Sequence, residues 1–318
     1  MAKPDILMLN PMRPLAEKAL EPHVTLHRLW EAPDKDALLA EIGPRIRGII
    51  AFVASVPRGL LEKLPALEIV ASGAVGYDGV DVKAAAERNV VVTNTPDVLT
   101  DEVADLALGL LLATVREIPR AEKHLRDGLW PKSNYPLTAT LRGRTVGIVG
   151  LGRIGGAIAK RVEGFGVPVS YHGRRPQPDI AYPYFASLVD MAKAVDTMIV
   201  VTPGGAETRH LVGKEVFEAL GPNGIFINVA RGSVVDEQAL IHALKNRTIL
   251  AAGLDVFENE PNVPAELMAL ENTVLLPHVA SASHHTRDAM TQLAVDNLLA
   301  WFDGKPPLTP IPETPSPQ

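Results

Sequence analysis

Three glycines, an arginine, a glutamate and a histidine are the residues of this chain whose type and placing suit chemistry. Gly150, Gly152 and Gly155 spell GLGRIG, directly after the apolar run TVGIV and before the helix-forming stretch Arg153 to Glu163. Such a turn lets backbone approach a pyrophosphate and aims the free amides of a helix N-terminus at its charge. The segment therefore predicts a dinucleotide site, although the spacing alone also fits a structural glycine turn. Arg231 in INVARG, Glu260 in LDVFENEP and His278 in LLPHVASAS each follow an apolar run. Taken singly, each is more often structural than catalytic. If those runs are parallel strands, all three share one sheet edge with the glycine loop, the edge where open α/β sheets bind ligands. There an arginine can clamp a carboxylate, a histidine can exchange a proton with a carbonyl, and a carboxylate can hold that histidine in its charged form.

A site for NAD commonly ends its second strand with an acid, about 20 residues past the glycines, that accepts from the ribose hydroxyls. Here that place is His172, followed by Gly173, Arg174 and Arg175. No carboxylate repels a 2′-phosphate and two guanidiniums can receive one, so NADPH (NADP) is expected in preference to NADH. A solvated arginine pair on a loop is the alternative. A second loop, SGAVGYD from Ser72 to Asp78, follows the run LEIVA. Its glycines leave backbone amides uncovered for a carboxylate, yet it reads equally as a plain turn. His284 and His285 do not suggest a metal, because neighbours at a helix start point apart, and no HExxH pattern occurs.

The elements that must position these residues follow from the rhythm of the chain. Its 318 residues suggest two domains. From Asp5 to about Thr93, five short apolar runs (DILML, VTLHRL, GIIAFV, LEIVAS, VVVTN) alternate with helix-forming stretches, as in βα units around a parallel sheet. One long helix is expected from Asp101 to about Arg126, with Thr100 as its N-cap and acids in its first turn. Six further runs begin at Thr145, Val167, Thr197, Gly224, Ile249 and Thr273, the count of a complete dinucleotide-binding doubly wound sheet. A last helix, from about His284 to Phe302, is left over and should return to the N-terminal part. The tail GKPPLTPIPETPSPQ has six prolines in its final thirteen residues, which blocks helix and sheet and predicts an extended segment.

Composition narrows the partners. With 47% apolar and 21% charged residues the chain is an ordinary globular one, and a net charge of −6 lacks the positive field that nucleic acid requires. The absence of cysteine removes disulfides, zinc ribbons and thiol nucleophiles and suits a reducing compartment. The run Ile6 to Leu9 is too short for a signal-peptide core, and Leu106 to Val115 is too short to cross a bilayer. The expectation is a soluble, cytoplasmic protein with no membrane partner.

Taken in order, SGAVGYDGVDV, NTPDVLTDEVADLALGLLL, VGIVGLGRIG, INVARGSVVDE, GLDVFENEP and LLPHVASAS resemble the D-2-hydroxyacid dehydrogenases over about residues 45 to 308. VLTDEVADLALGLLL, HGRR and DVFENEP are most similar to the NADPH-using glyoxylate/hydroxypyruvate reductases of that family and their hydroxyphenylpyruvate reductase relatives. The resemblance implies an α/β fold of two Rossmann-like, doubly wound parallel-sheet domains with the active site in the cleft between them. A flavodoxin-like substrate-binding domain would span 1–98 plus 286–318, and the NAD(P)-binding domain 99–285. It implies a catalytic trio of Arg231, Glu260 and His278, with the amides of Val75 and Gly76 as the carboxylate-binding loop. Thr100, Arg153, Ile154, Thr202, Ala230 and Asp255 match cofactor-contacting positions, Asp255 near the nicotinamide amide. Ala280 stands where relatives commonly carry glycine, and its methyl would narrow the nicotinamide side. Phe52, Val53 and Tyr135 are the candidate walls of the substrate pocket, Tyr135 on an arm (Trp130 to Thr140) that in such proteins reaches a partner subunit, which implies a homodimer. The implied reaction is NADPH-dependent reduction of small 2-keto acids, glyoxylate or hydroxypyruvate, to D-2-hydroxy acids, with His278 as proton donor. Alternatives are an aromatic 2-ketoacid reductase of the hydroxyphenylpyruvate type and, in another class, a nucleotide-sensing co-repressor-like binding protein. An NAD-dependent phosphoglycerate dehydrogenase is disfavoured by HGRR and by the lack of a regulatory domain after residue 318.

Overall fold

The computed structural model describes residues 3–53 and 55–314. The chain divides into two compact units, 1–99 with 282–318, and 100–281. The first is built on five strands: β1 (Asp5–Met8), β2 (Thr25–Arg28), β3 (Ile46–Ala51), β4 (Ile69–Ser72) and β5 (Val91–Thr93). They pair in the order β2-β1-β3-β4-β5, all parallel, the flavodoxin-like order. A parallel sheet needs helices on both faces, so its strands are apolar on both. Leu7, Ile49, Val70 and Val92 point into one core with Leu39, Leu61 and Ala85. The alternate residues Ile6, Met8, Ile50 and Ala71 point into the other with Leu20, Ala294, Val295 and Leu298. Those last three belong to the helix His284–Phe302, whose N-cap Ser283 accepts from the Thr286 amide.

The proline-rich tail departs from its expectation. It forms no helix, but it is not excluded from the sheet: Pro310 bridges antiparallel to Thr93, the Ile311 amide donates to the Val92 carbonyl at 2.9 Å, and after a turn at 312–314 the Val92 amide donates to Thr314 Oγ1 at 2.8 Å. Prolines 310 and 312 flank Ile311, so by strand alternation their missing donors face away from β5 while Ile311 supplies the needed one. Ile311 and Thr314 are buried. Residues 315–318 of the tail lie outside the described residues.

The second unit carries β6 (Val146–Val149), β7 (Val169–His172), β8 (Tyr184–Phe185), β9 (Thr197–Val200), β10 (Ile225–Asn228), β11 (Ala251–Leu254) and β12 (Thr273–Leu275). All run parallel in the order β12-β11-β10-β9-β6-β7-β8. This is one strand more than the six apolar runs predict. The addition, β8, is a two-residue edge strand opposite Tyr171 and His172, too short to give a periodic signal. The expected single helix is also two, Thr100–Val115 and Ile118–Arg126, broken where Glu117 turns left-handed at φ 50°. Pro119 explains the break: it begins a helix readily and cannot continue one. One apolar core of this unit joins Val149, Met198 and Val200 to Met191, Phe217 and Leu240, with Phe217 edge-on to Phe226 at 5.2 Å. No helix among the described residues is long and apolar enough to cross a membrane.

Candidate active site

Because the strands of the second sheet are parallel, their carboxyl ends line up, and these ends and the loops that leave them carry the glycine turn, His172, Arg174, Arg175, Thr202, Arg231, Asp255, Glu260 and His278. β6 ends at Val149 and the chain turns at Gly150 with φ 98°, a conformation that glycine adopts at little cost. A Cβ on Gly155 would lie 2.1 Å from the Gly150 carbonyl oxygen, so turn and helix pack at a distance only glycine permits. At Gly152 a Cβ would meet nothing within 4 Å. That glycine is the N-cap of the helix Arg153–Glu163, and it has no side chain with which to cap the helix. Beside the turn, Thr202 follows β9 with its methyl and backbone against Gly150, and its buried hydroxyl has no partner among the described residues. A helix N-terminus without a side-chain cap, with an orphaned buried hydroxyl beside it, fits the phosphates of a dinucleotide.

At the end of β7 the His172 ring shares a hydrogen bond of 2.9 Å through Nδ1 with the Phe185 carbonyl, and the Gly173 carbonyl accepts from the Tyr184 hydroxyl. The short strand β8 thus fixes the place where an acid would stand in an NAD site. Arg174 and Arg175 beyond it are exposed and enter no ion pair among the described residues. Two guanidiniums in that state fit a phosphate better than a bare ribose.

Arg231, Glu260 and His278 leave β10, β11 and β12. His278 Nδ1 and Glu260 Oε2 are 2.7 Å apart, while Glu260 Oε1 accepts from the Phe257 amide at 3.1 Å. Burial pushes the Glu260 carboxyl up, but the His278 hydrogen bond, the Phe257 amide and the charges of His278 and Arg231 outweigh it and hold the group below the usual carboxylate range. With Nδ1 committed to Glu260, Nε2 is the ring atom able to pass a proton to a ligand. His278 itself sits at φ 52°, a left-handed conformation costing an L residue roughly 1–2 kcal/mol.

Asp255 holds that strained loop. Its carbonyl accepts from the His278 amide at 2.9 Å, and its carboxylate oxygens accept from the amides of Val279 at 2.8 Å and Ala280 at 2.9 Å. Burial raises the Asp255 carboxyl above its usual value, against those two amides. The residue expected beside the nicotinamide is thus first of all the clamp of the histidine loop. Asn228, which sequence reasoning missed, does the same for the arginine. Almost fully buried at the end of β10, it accepts from the Ala230 amide at 3.0 Å and donates to the Arg231 carbonyl at 3.1 Å. An amide side chain closing an otherwise apolar strand was the available signal.

Thr100 opens the helix Thr100–Val115, and Tyr135 donates to Glu117 at 2.8 Å with its ring edge-on to His124. In the first unit, Phe52 follows β3, its amide donating to Asn10 Oδ1 and its ring lying 4.3 Å under the Arg287 guanidinium. The Ser72–Asp78 loop follows β4. Its Val75 and Gly76 amides donate to no acceptor among the described residues, while its carbonyls are bonded outward. Among the described residues no group of three or more His, Cys, Asp or Glu could hold a metal.

A doubly wound parallel sheet with a glycine turn at its switch point defines a dinucleotide-binding class of protein. The model of the D-isomer specific 2-hydroxyacid dehydrogenase NAD-binding domain matches residues 108–280. Glyoxylate/hydroxypyruvate reductase A of Arabidopsis thaliana is 47% identical over 96% of this chain and 98% of its own, and hydroxyphenylpyruvate reductase of Plectranthus scutellarioides is 46% identical over the same shares. The crystal structure of an NADPH-dependent glyoxylate/hydroxypyruvate reductase from Sinorhizobium meliloti, in complex with NADP and malonate, superposes with a TM-score of 0.95 at 52% identity, covering 100% of this chain and 99% of that one. The chain belongs to the D-isomer specific 2-hydroxyacid dehydrogenase family.

Proposed function

We propose that this protein is an NADPH-dependent reductase of small 2-keto acids, glyoxylate and hydroxypyruvate first, yielding D-2-hydroxy acids. The observation that carries the reading is the 2.7 Å His278–Glu260 pair on the same sheet edge as Arg231 and the glycine turn. The unit 100–281 holds the cofactor, through Gly150, Gly152, the amides of Arg153 and Ile154, the Thr202 hydroxyl and the Arg174–Arg175 pair. The unit 1–99 with 282–318 offers the amides of Val75 and Gly76 to a carboxylate, and in the unit 100–281 Arg231 offers a guanidinium of the kind that pairs with one. When bound, the nicotinamide supplies the hydride. His278 gives the proton to the carbonyl oxygen from Nε2, and Glu260 steadies the charged imidazole from Nδ1. Phe52 beneath Arg287 makes a firm, polar-capped wall, which supports small hydrophilic ketoacids.

The protein works in the cytoplasm as a homodimer. The cysteine-free composition supports the first. The helix Ile118–Arg126, which buries none of its residues, supports the second, together with Trp130 at 63% and Leu137 at 102% exposure.

The deciding experiment measures kcat/KM for glyoxylate, hydroxypyruvate, pyruvate and phenylpyruvate with NADPH and with NADH. Hydroxypyruvate or glyoxylate should lead, NADPH should be favoured by about tenfold to several hundredfold, and Arg174→Ala should erase most of that preference. A lead for phenylpyruvate would shift the substrate to the aromatic class, which the 46% identical hydroxyphenylpyruvate reductase favours. A preference for NADH would overturn the cofactor assignment, and no turnover with any ketoacid would favour a nucleotide-sensing binding protein.

A further inference from the structure

Backbone amides that receive a carboxylate are useful only if they point at it, and the first unit has a device for pointing them. A trans peptide is planar, with its C=O and N–H directed oppositely, so whatever grips one carbonyl aims the amide hydrogen of the next residue. The Ala74 carbonyl accepts from the Thr95 amide at 3.0 Å, which sets the N–H of Val75. The Val75 carbonyl accepts from the Asn94 side-chain amide at 2.8 Å, which sets the N–H of Gly76. The two amides assigned to the substrate carboxylate are therefore aimed by two consecutive residues at the end of β5.

Those residues are in turn held by the C-terminal segment. The Asn94 amide donates to the Thr309 carbonyl at 3.2 Å, and the Asn94 carbonyl accepts from the Thr309 hydroxyl at 2.6 Å. Thr309 is fixed from its other side by the buried Asn297, which donates to its hydroxyl and accepts from its amide, both at 2.9 Å. The same segment is tied to β5 through Ile311 and Thr314, and Glu313 accepts from the hydroxyl of Tyr77, a member of the carboxylate loop, at 3.3 Å.

We infer that Asn94 is a positioning residue that aims the carboxylate-receiving amides of Val75 and Gly76, and that residues 309–314 form a strap that holds it in register. The inference rests on the proposed function, and it assigns substrate affinity, not hydride transfer, to a contact chain running from Asn297 through Thr309 and Asn94 to Val75.

The test uses the full-length protein and two readouts, steady-state kinetics with hydroxypyruvate and the Kd of oxamate, a non-reacting carboxylate, in the presence of NADPH. Asn94→Ala removes the donor and adds no charge near the carboxylate loop. It should raise KM for hydroxypyruvate and Kd for oxamate together by about three- to tenfold, the worth of one hydrogen bond, with kcat and the NADPH Kd within about twofold. Thr309→Val should move the same two constants in the same direction by about twofold to threefold. A merely structural role would instead lower the active fraction, so that apparent kcat falls while KM and the oxamate Kd stay put, and that result overturns the inference. Should Asn94→Ala fail to fold, Thr309→Val and Glu313→Gln decide it, unchanged KM in both being the overturning result. Wild-type protein that neither turns over ketoacids nor binds oxamate overturns the functional reading, and this inference with it. Wild-type protein that does both, with variants that match it, overturns the inference alone.

Discussion

The carboxyl edges of the two sheets are equipped in opposite ways. In the second unit the proposed working groups are side chains: Arg231, on a loop held by the buried Asn228 that ends β10; His278, on a loop held by the buried Asp255 that follows the neighbouring β11; and Glu260, paired with His278. In the first unit the proposed working groups are the backbone amides of Val75 and Gly76, and the clamp on their peptides comes from Asn94, Thr95 and a segment more than 200 residues away. Side-chain chemistry announces itself by residue type, whereas backbone chemistry depends on which neighbouring donors grip the carbonyls. The two edges should accordingly fail differently, the second in kcat and the first in KM.

The largest expected effect breaks the side-chain edge. His278→Ala should lower kcat for ketoacid reduction by about a hundredfold to ten-thousandfold, the usual worth of a positioned proton donor, and leave the NADPH Kd within a few fold. Near-normal turnover would mean that the second edge has no catalytic histidine and that the comparison is wrong.

Next in size, Gly155→Ala separates packing from chemistry. Its Cβ would sit 2.1 Å from a backbone oxygen, a clash costing roughly 1–3 kcal/mol or more, so thermal unfolding of the second unit should fall by several degrees and NADPH binding should weaken. Unchanged melting and binding would show that the glycine turn has more slack than its geometry implies.

The mildest prediction sharpens the roles within the trio. Glu260 is held below the usual carboxylate range, so it stays ionised throughout neutral pH, and the stability its pairing contributes is present above the ordinary carboxylate pKa and lost as pH falls through the lowered one. Glu260→Gln removes that charge. kcat should fall by roughly tenfold near neutrality, and the loss of wild-type rate at low pH that follows protonation of Glu260 should be absent from the Gln variant. Superimposable pH profiles would take Glu260 out of the role of supporting His278.

Much of this layout was legible in the residues. GLGRIG after an apolar run announced a helix N-terminus facing a ligand, because a tight turn, a close approach and an uncapped helix all demand glycine within six positions. The alignment of Arg231, Glu260 and His278 followed from treating three apolar runs as parallel strands, since parallel strands share a carboxyl edge. Local signals failed where structure is decided by context. The edge strand Tyr184–Phe185 is two residues long and has no period, and its existence depends on β7 offering free backbone partners. The break at Glu117 was present in the sequence as Pro119 but was masked by the apolar continuity of the helix before it.

By itself, then, the amino-acid sequence determined the strand rhythm, the glycine turn, the absence of an acid at His172 and the chemical types at the second sheet edge, all of them properties of residues close together in the chain. Tertiary structure alone decided that the proline-rich segment lies along β5, that Asp255 clamps the histidine loop and that Asn94 grips the Val75 carbonyl. Each of these joins groups from 19 to 222 positions apart. The physical reason is that a hydrogen bond is specified by where two groups meet in space, and no pattern along the chain records that meeting until the sheets are formed.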